Sequence, residues 1–384
     1  MINVGIFGDK YFASTGMANI LNHLATEVCK DDDLKVYFFG RFGIQDLEYK
    51  PIDGFTPQPI LTPTPFFYVP CQGGVWDREL CVRIIKHYNL DVCFSEDDWF
   101  SINGLAGACE FWNKPFHFLT PIDGLPLHIN SNKVFKNCNT VYVPNASWQI
   151  IKERGFNSIY LPHGVDDKAF QHIPLRKENE KFRFLWIGRD DPRKALGRTI
   201  LAYEKMLSMS ANHNVEMIIH TDWNTPNAQK TKQYIEMKHL PVIGSQMSNN
   251  PHEEMVKVYN CANANIVSAK AGGCEMSILE AAACQVPTLV TDWNFMNEFV
   301  IDQKTGFRIP YENLITEPEY GRMWANINIG KLADTMLLCL DNPKPLNEMG
   351  IQARLHIQKN YSWVETGKEL TKRIKESVIS TTKN

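Results

Sequence analysis

The residues best placed to do chemistry fall in one short run, Gly188-Arg189-Asp190-Asp191-Pro192-Arg193-Lys194, followed closely by Arg198. Asp191 is suited to cap a helix and Pro192 to open it. Arg193 and Lys194 then fall in the first turn, where the helix dipole disfavours cations. A bound di-anion removes the conflict, because N–H groups, dipole and cations all favour a phosphate. The plainer alternative is a solvated turn in which Asp190 and Asp191 neutralise the arginines. A local rule broken this often favours the anion.

Three other segments carry candidate chemistry. Ala271-Gly272-Gly273-Cys274-Glu275-Met276-Ser277-Ile278-Leu279-Glu280 combines glycines, which let backbone fold over a ligand, with a carboxylate one turn into the next helix. Glu280 has two readings. It can close a capping box with Ser277, or it can accept both hydroxyls of a ribose. Thr120-Pro121-Ile122-Asp123-Gly124 leaves an apolar strand, and Asp123 can orient a substrate, act as a base or cap the turn at Gly124. Ser14-Thr15-Gly16-Met17 offers a glycine and free N–H groups at a helix start, without the G-x-G-x-x-G of a dinucleotide fold. Asp31-Asp32-Asp33 reads as a solvated turn before a strand. Glu96-Asp97-Asp98 follows a strand, where a divalent metal is a weak option, and no metal is expected.

These segments need a scaffold, and the apolar pattern supplies one. Short apolar runs alternate with helical spacing: strands at Asn3–Gly8, Lys35–Gly40, Asp91–Ser95, Phe116–Pro121, Thr140–Pro144 and Ser158–Pro162, then again at Phe182–Gly188, Val215–His220, Ala264–Ala269 and Pro287–Thr291. Met17, Ile20, Leu21 and Leu24 share one helical face. Such alternation implies parallel sheets covered on both faces, with ligands at the carboxyl ends of the strands. The strand series restarts after the charged run Leu175–Lys181, which suits a linker. Two doubly wound domains follow, over about 1–170 and 171–360, with a final helix within 361–384. The proline-rich segment Pro51–Pro70 reads as a surface loop. Its cluster Pro65-Phe66-Phe67-Tyr68-Val69 either packs on its own domain or forms an acceptor-contacting lip.

Composition narrows the function. Forty Lys+Arg against 43 Asp+Glu leave a net charge of −3 over 384 residues, which argues against a general nucleic-acid coat. Ten cysteines without C-x-x-C spacing give no zinc ribbon or redox motif. They read as reduced thiols, and no apolar stretch reaches membrane-span length, so a cytoplasmic protein is expected.

Taken together and in order, these segments resemble glycosyltransferase family 4, the retaining nucleotide-sugar enzymes of GT-B architecture. The likeness runs through Ser14-Thr15-Gly16, Pro121-Ile122-Asp123-Gly124, Val143-Pro144-Asn145-Ala146-Ser147-Trp148, Leu161-Pro162-His163-Gly164-Val165-Asp166 and Gly188-Arg189 with Lys194. It continues through Ile278-Leu279-Glu280-Ala281, Cys284-Gln285-Val286-Pro287, Glu298-Phe299-Val300, Thr305-Gly306 and Tyr361-Ser362-Trp363. The resemblance implies two Rossmann-like domains facing a deep cleft, with the C-terminal helix crossing back to the first. It places Gly16 near a sugar diphosphate, Arg189 and Lys194 on the phosphates, and Glu280 on the ribose. Gly272, Gly273, Glu275, Met276, Ser277 and Ile278 would cover the donor sugar. The chain departs from the family at Gly272, where a glutamate is frequent, at Asp123 in place of a histidine, and at Ala195 in place of a glycine.

The expected activity is transfer of a sugar, with retention, from a uridine or guanosine diphosphate sugar to an acceptor hydroxyl. Asp123, Arg189 and Lys194 are the expected catalytic groups, and no cofactor is expected. The acceptor can be a glycan, a lipid, a small molecule or a modified nucleic acid. Three alternatives share the architecture: a non-hydrolysing nucleotide-sugar epimerase, a silent nucleotide-sugar sensor, and a viral-type enzyme that glycosylates modified DNA bases.

Overall fold

A computed structural model of the chain describes residues 1–11, 13, 15–41, 59, 62–71, 75–175, 180–247 and 252–382. Two compact units emerge. One comprises 1–122, 127–164 and 363–384; the other comprises 123–126 and 165–362.

In the first unit, strands β1 (Ile2–Asp9), β2 (Leu34–Arg41), β3 (Phe67–Pro70), β4 (Val92–Glu96), β5 (Phe116–Leu119), β6 (Thr140–Val143) and β7 (Ser158–Tyr160) form one sheet. Its order is β3-β2-β1-β4-β5-β6-β7, parallel throughout. Helices α1 (Gly16–Val28), α2 (Arg78–His87), α3 (Asn103–Phe111), α4 (Ser131–Phe135) and α5 (Trp148–Glu153) make the crossovers. Thr15 caps α1 by accepting the Ala18 N–H at 3.1 Å. Ile20, Leu21 and Leu24 are buried as expected, but Met17 is only half-buried and Ala18 takes its place in the core. The proline-rich segment holds a strand that its composition concealed. β3 pairs with β2 at the sheet edge, where Pro70 costs no ladder bond. Phe66, Tyr68 and Val69 are buried while Phe67 points outward, so most of this aromatic cluster packs on its own unit. Residues 51–58, 60 and 61 of that segment lie outside the described residues, as do Ser14 and 176–179.

In the second unit, strands β8 (Phe182–Ile187), β9 (Val215–Thr221), β10 (Val242–Gln246), β11 (Ala264–Val267), β12 (Thr288–Thr291) and β13 (Gly306–Ile309) form a parallel sheet in the order β10-β9-β8-β11-β12-β13. Helices α6 (Leu196–Met209), α7 (Pro226–Met237), α8 (His252–Asn260), α9 (Met276–Ala283), α10 (Ile329–Asp341) and α11 (Lys344–Asn360) cover it. An antiparallel hairpin of β14 (Tyr311–Thr316) and β15 (Met323–Ile327) is appended. One apolar cluster, around Trp186, Tyr203 and Met217, fills the α6 and α10 side. The other, around Leu185, Tyr259 and Leu279, fills the α9 and α11 side. The last helix, α12 (Trp363–Thr382), belongs to the first unit. It packs on α1, where Gly367 leaves no room for a β-carbon against Glu27, and Thr366 donates to the Pro162 carbonyl at 2.9 Å.

Among the described residues, no helix is long and apolar enough to cross a membrane.

Candidate functional site

In both sheets the chain leaves the first strand to one side and later returns on the other. The crevices at the carboxyl ends of β8/β11 and of β1/β4 are therefore the natural ligand positions.

At β8/β11 the turn after β8 differs from its expected form. Neither Asp191 nor Pro192 opens α6. The helix begins at Leu196, behind Ala195 in the left-handed region at φ 56°. Asp191 caps the preceding turn instead: its Oδ1 accepts the N–H groups of Arg193 at 2.9 Å and Lys194 at 3.0 Å. The turn is tied to the end of β11. Ser268 Oγ, fully buried, donates to the Lys194 carbonyl at 3.0 Å and accepts from Thr199 and Trp186. The Lys270 N–H donates to the Arg193 carbonyl at 2.8 Å.

So held, Arg193 and Lys194 converge on one carboxylate, that of Glu275. Arg193 Nη1 reaches Glu275 Oε1 at 3.0 Å and the Ala271 carbonyl at 2.7 Å, while Lys194 Nζ pairs with Oε2. Burial of Glu275 favours protonation, but Lys194 and Arg193 outweigh it and hold the carboxyl below its ordinary range. Arg193 is shifted the other way: desolvation opposes its charge, and Glu275, Asp123 and Asp191 more than restore it. The cations are thus neutralised chiefly by Glu275, not by Asp190, whose Oδ2 accepts from Thr231 at 2.6 Å.

The expected pairing of Arg189 with Lys194 is not what the structure brings together. Arg189 is exposed and acts electrostatically on Asp222 beyond β9, while Arg193 joins Lys194. Arg198 is committed elsewhere, donating to the Ile327 carbonyl at 3.0 and 2.8 Å.

Around α9, Gly272, Gly273 and Glu275 are buried, and Met276 and Ser277 are half-buried. The Ile278 side chain lies in the core, 1% exposed, so only its backbone is placed to meet a ligand. No capping box forms: α9 starts at Met276, one residue before Ser277, with Glu275 at its cap position and no side-chain cap bond. Glu280 Oε2 instead accepts from the Tyr259 hydroxyl at 2.6 Å. Burial pushes the Glu280 carboxyl up to about 7 despite that bond.

Asp123 packs with the second unit. Its carboxylate pairs with Arg322 of the β14–β15 turn, and its carbonyl accepts from Asn294 Nδ2 at 3.3 Å. Arg322 also reaches Glu317 at 3.4 Å. Sequence reading did not find Ser268, Tyr259 or Arg322. Tyr259 lies 21 residues before Glu280 and Arg322 lies 199 residues after Asp123, so no local pattern links them.

The β1/β4 crevice holds mainly acids. Gly16 is exposed, and among the described residues outside its own turn nothing stands within 4 Å of where its side chain would begin. Arg41 pairs with Asp9 at 2.9 Å and with Asp97 at 2.6 Å. Burial raises Asp97 to about 7, against the pull of Arg41. Glu96 is 1% exposed, and among the described residues neither of its carboxyl oxygens has a hydrogen-bond partner. Burial, then its acidic neighbours, push it well above the ordinary range.

Residues 167–356 match the family described as glycosyl transferases group 1. The serotype-specific mannosyltransferase WbdA of Escherichia coli is 23% identical over 112 residues, which is 28% of this chain and 13% of that protein. Similar solved structures span both units. Sucrose-phosphate synthase from Thermosynechococcus elongatus has a TM-score of 0.75 at 14% identity, covering 99% of this chain and 100% of that one. Anabaena HepE in complex with UDP and glucose has a TM-score of 0.73 at 14% identity, covering 98% and 100%. Residues 167–356 are therefore similar to glycosyl transferases group 1, and the chain as a whole has the fold of two Rossmann-like parallel-sheet units found in these GT-B structures.

Proposed function

We propose that the protein is a retaining glycosyltransferase that moves a sugar from a nucleoside diphosphate to an acceptor hydroxyl. The observation that carries this reading is the Arg193–Lys194 pair, fixed at the end of β8 by Ser268 and Lys270 and facing the glycine loop before α9. The family match over this unit and the UDP and glucose held by a protein of the same fold support it.

As the glycosidic bond breaks, negative charge grows on the departing diphosphate. Cations preset beside it in a partly desolvated turn are worth more in that state than in the ground state. Lys194 and Arg193 supply that stabilisation, and Arg189 adds to the field from the crevice rim. Gly16 stands at the exposed start of α1, the kind of position from which backbone N–H groups meet a phosphate. Glu280 accepts the ribose hydroxyls through the lone pairs that Tyr259 leaves. Gly272, Gly273, Glu275, Met276 and Ser277, with the Ile278 backbone, line the donor sugar. Asp123, held by Arg322, orients the sugar or the acceptor. No metal is assigned to these steps. All ten cysteines are thiols, which fits a reducing, cytoplasmic setting.

The test is sugar transfer and donor hydrolysis with UDP- and GDP-sugars by wild type, R193A and K194A. We expect kcat/KM to fall by about two to three orders of magnitude in K194A, the scale of losing one preset donor to a developing anion. The same measurement in R189A assigns the outer arginine. Wild-type rates in both R193A and K194A would refute the phosphate assignment.

A further inference from the structure

The turn that carries the phosphate cations is not open to an anion as it stands. Its N–H groups are taken by Asp191, and its two cationic side chains are taken by Glu275 and the Ala271 carbonyl. Glu275 is 6% exposed, so this is an enclosed pair and not a rim contact.

We propose that Glu275 is a built-in competitor for the donor's phosphates, holding Arg193 and Lys194 until a diphosphate takes its place. The inference rests on the reading of this turn as the phosphate site and adds an exchange step to it. A diphosphate carries more negative charge than one carboxylate and can engage both cations at once, so the exchange favours it over weaker anions. The step needs only the side chain to move. The Glu275 backbone is anchored by its carbonyl, which accepts the Ile278 N–H at 2.9 Å, whereas its carboxylate caps no helix N–H.

Gly272 belongs to the same device. A β-carbon there would stand 2.5 Å from Glu275 Oε1 and 2.9 Å from its Cγ. The carboxylate fills the space that a side chain at 272 would occupy. A residue larger than glycine would drive it off the cations.

The consequence is a tax on donor binding. The apparent affinity for the diphosphate is reduced by the fraction of molecules in which Glu275 has released the cations, and removing the competitor restores it. Glu275→Gln keeps the shape without the charge, and Gly272→Ala displaces the carboxylate by volume. The two variants reach the same state by independent routes, so either one carries the test if the other fails to fold.

The experiment is calorimetric binding of UDP, GDP and inorganic pyrophosphate to wild type, E275Q, G272A and K194A, each checked for folding by its melting temperature. We expect E275Q and G272A to bind at least one of these probes about tenfold or more tightly than wild type, and K194A to bind more weakly. If K194A weakens binding while E275Q and G272A bind no better than wild type, the phosphate site stands and the competitor does not. If K194A leaves the binding of all three probes unchanged, the phosphate site itself is wrong and this inference goes with it.

Discussion

The crevices of the two sheets occupy equivalent points of equivalent topologies and pair their charges in opposite proportion, two cations on one carboxylate in one and one cation on two carboxylates in the other. At β8/β11 two cations, Arg193 and Lys194, share the Glu275 carboxylate, and the charge of Arg193 is upheld against desolvation by Glu275, Asp123 and Asp191. At β1/β4, among the described residues, Arg41 serves Asp9 and Asp97 while Glu96 lies buried with neither carboxyl oxygen hydrogen-bonded. The fold fixes where a ligand can sit, and the side chains at the strand ends fix which sign it can carry. A doubly wound unit is thus no guide to its own ligand. Under the proposed function, the cations of the β8/β11 crevice are the groups that meet a diphosphate.

Three measurements sharpen or break this contrast. The largest expected effect is at Arg41. R41A leaves Asp97 buried without its partner, which should cost about 3 kcal/mol or more in denaturant unfolding at pH 8. The loss should shrink below pH 7, as Asp97, already raised to about 7, takes up a proton and becomes neutral. An equal loss at pH 5.5 and pH 8 would show that Arg41 acts through packing alone.

A smaller effect is expected at Glu280. Its carboxyl titrates at about 7 in the folded chain against about 4.3 when unfolded, so the native state binds the extra proton. Its contribution to stability is present below pH 4.3 and is lost as pH rises toward 7. E280Q has no such titration and should gain on wild type by on the order of 1–2 kcal/mol between pH 5 and pH 8, after allowance for partial exposure. Donor affinity should move oppositely in wild type, rising with pH as the carboxylate forms. A stability difference flat with pH would place Glu280 in water.

The smallest change at acidic pH is expected for E96Q. Glu96 is already neutral there, so an isosteric amide should alter the melting temperature little at pH 5. By the same sign, wild-type stability falls as pH rises above the unfolded value, and E96Q should gain steadily on it. A loss of stability in E96Q at every pH would mean that the carboxyl makes a bond the amide cannot.

Ten of the strands were legible as apolar runs, because a strand buried on both faces has no room for polar residues. The others lacked that mark. β3 lies behind prolines, and β10 and β14 are largely exposed, with polar or charged residues along them. The cations after β8 stand out by violating a helix rule. The helix that the spacing has them open starts later, since the left-handed Ala195 intervenes, and Asp191 caps a turn instead. Glu280 was visible as a carboxylate beyond a glycine loop. Its partner Tyr259 comes from a different helix and left no trace in the spacing.

Apolar periodicity and the order of short motifs alone determined that this chain forms two parallel-sheet units and where along it the ligand-bearing turns fall, because burial on both faces of a sheet writes itself into consecutive residues. Which side chains meet at those turns was decided only by tertiary structure. Arg193 and Lys194 find Glu275 across 82 and 81 residues, and Asp123 finds Arg322 across 199. An ion pair depends on distance in space and on loss of water, and neither is a function of separation along the chain.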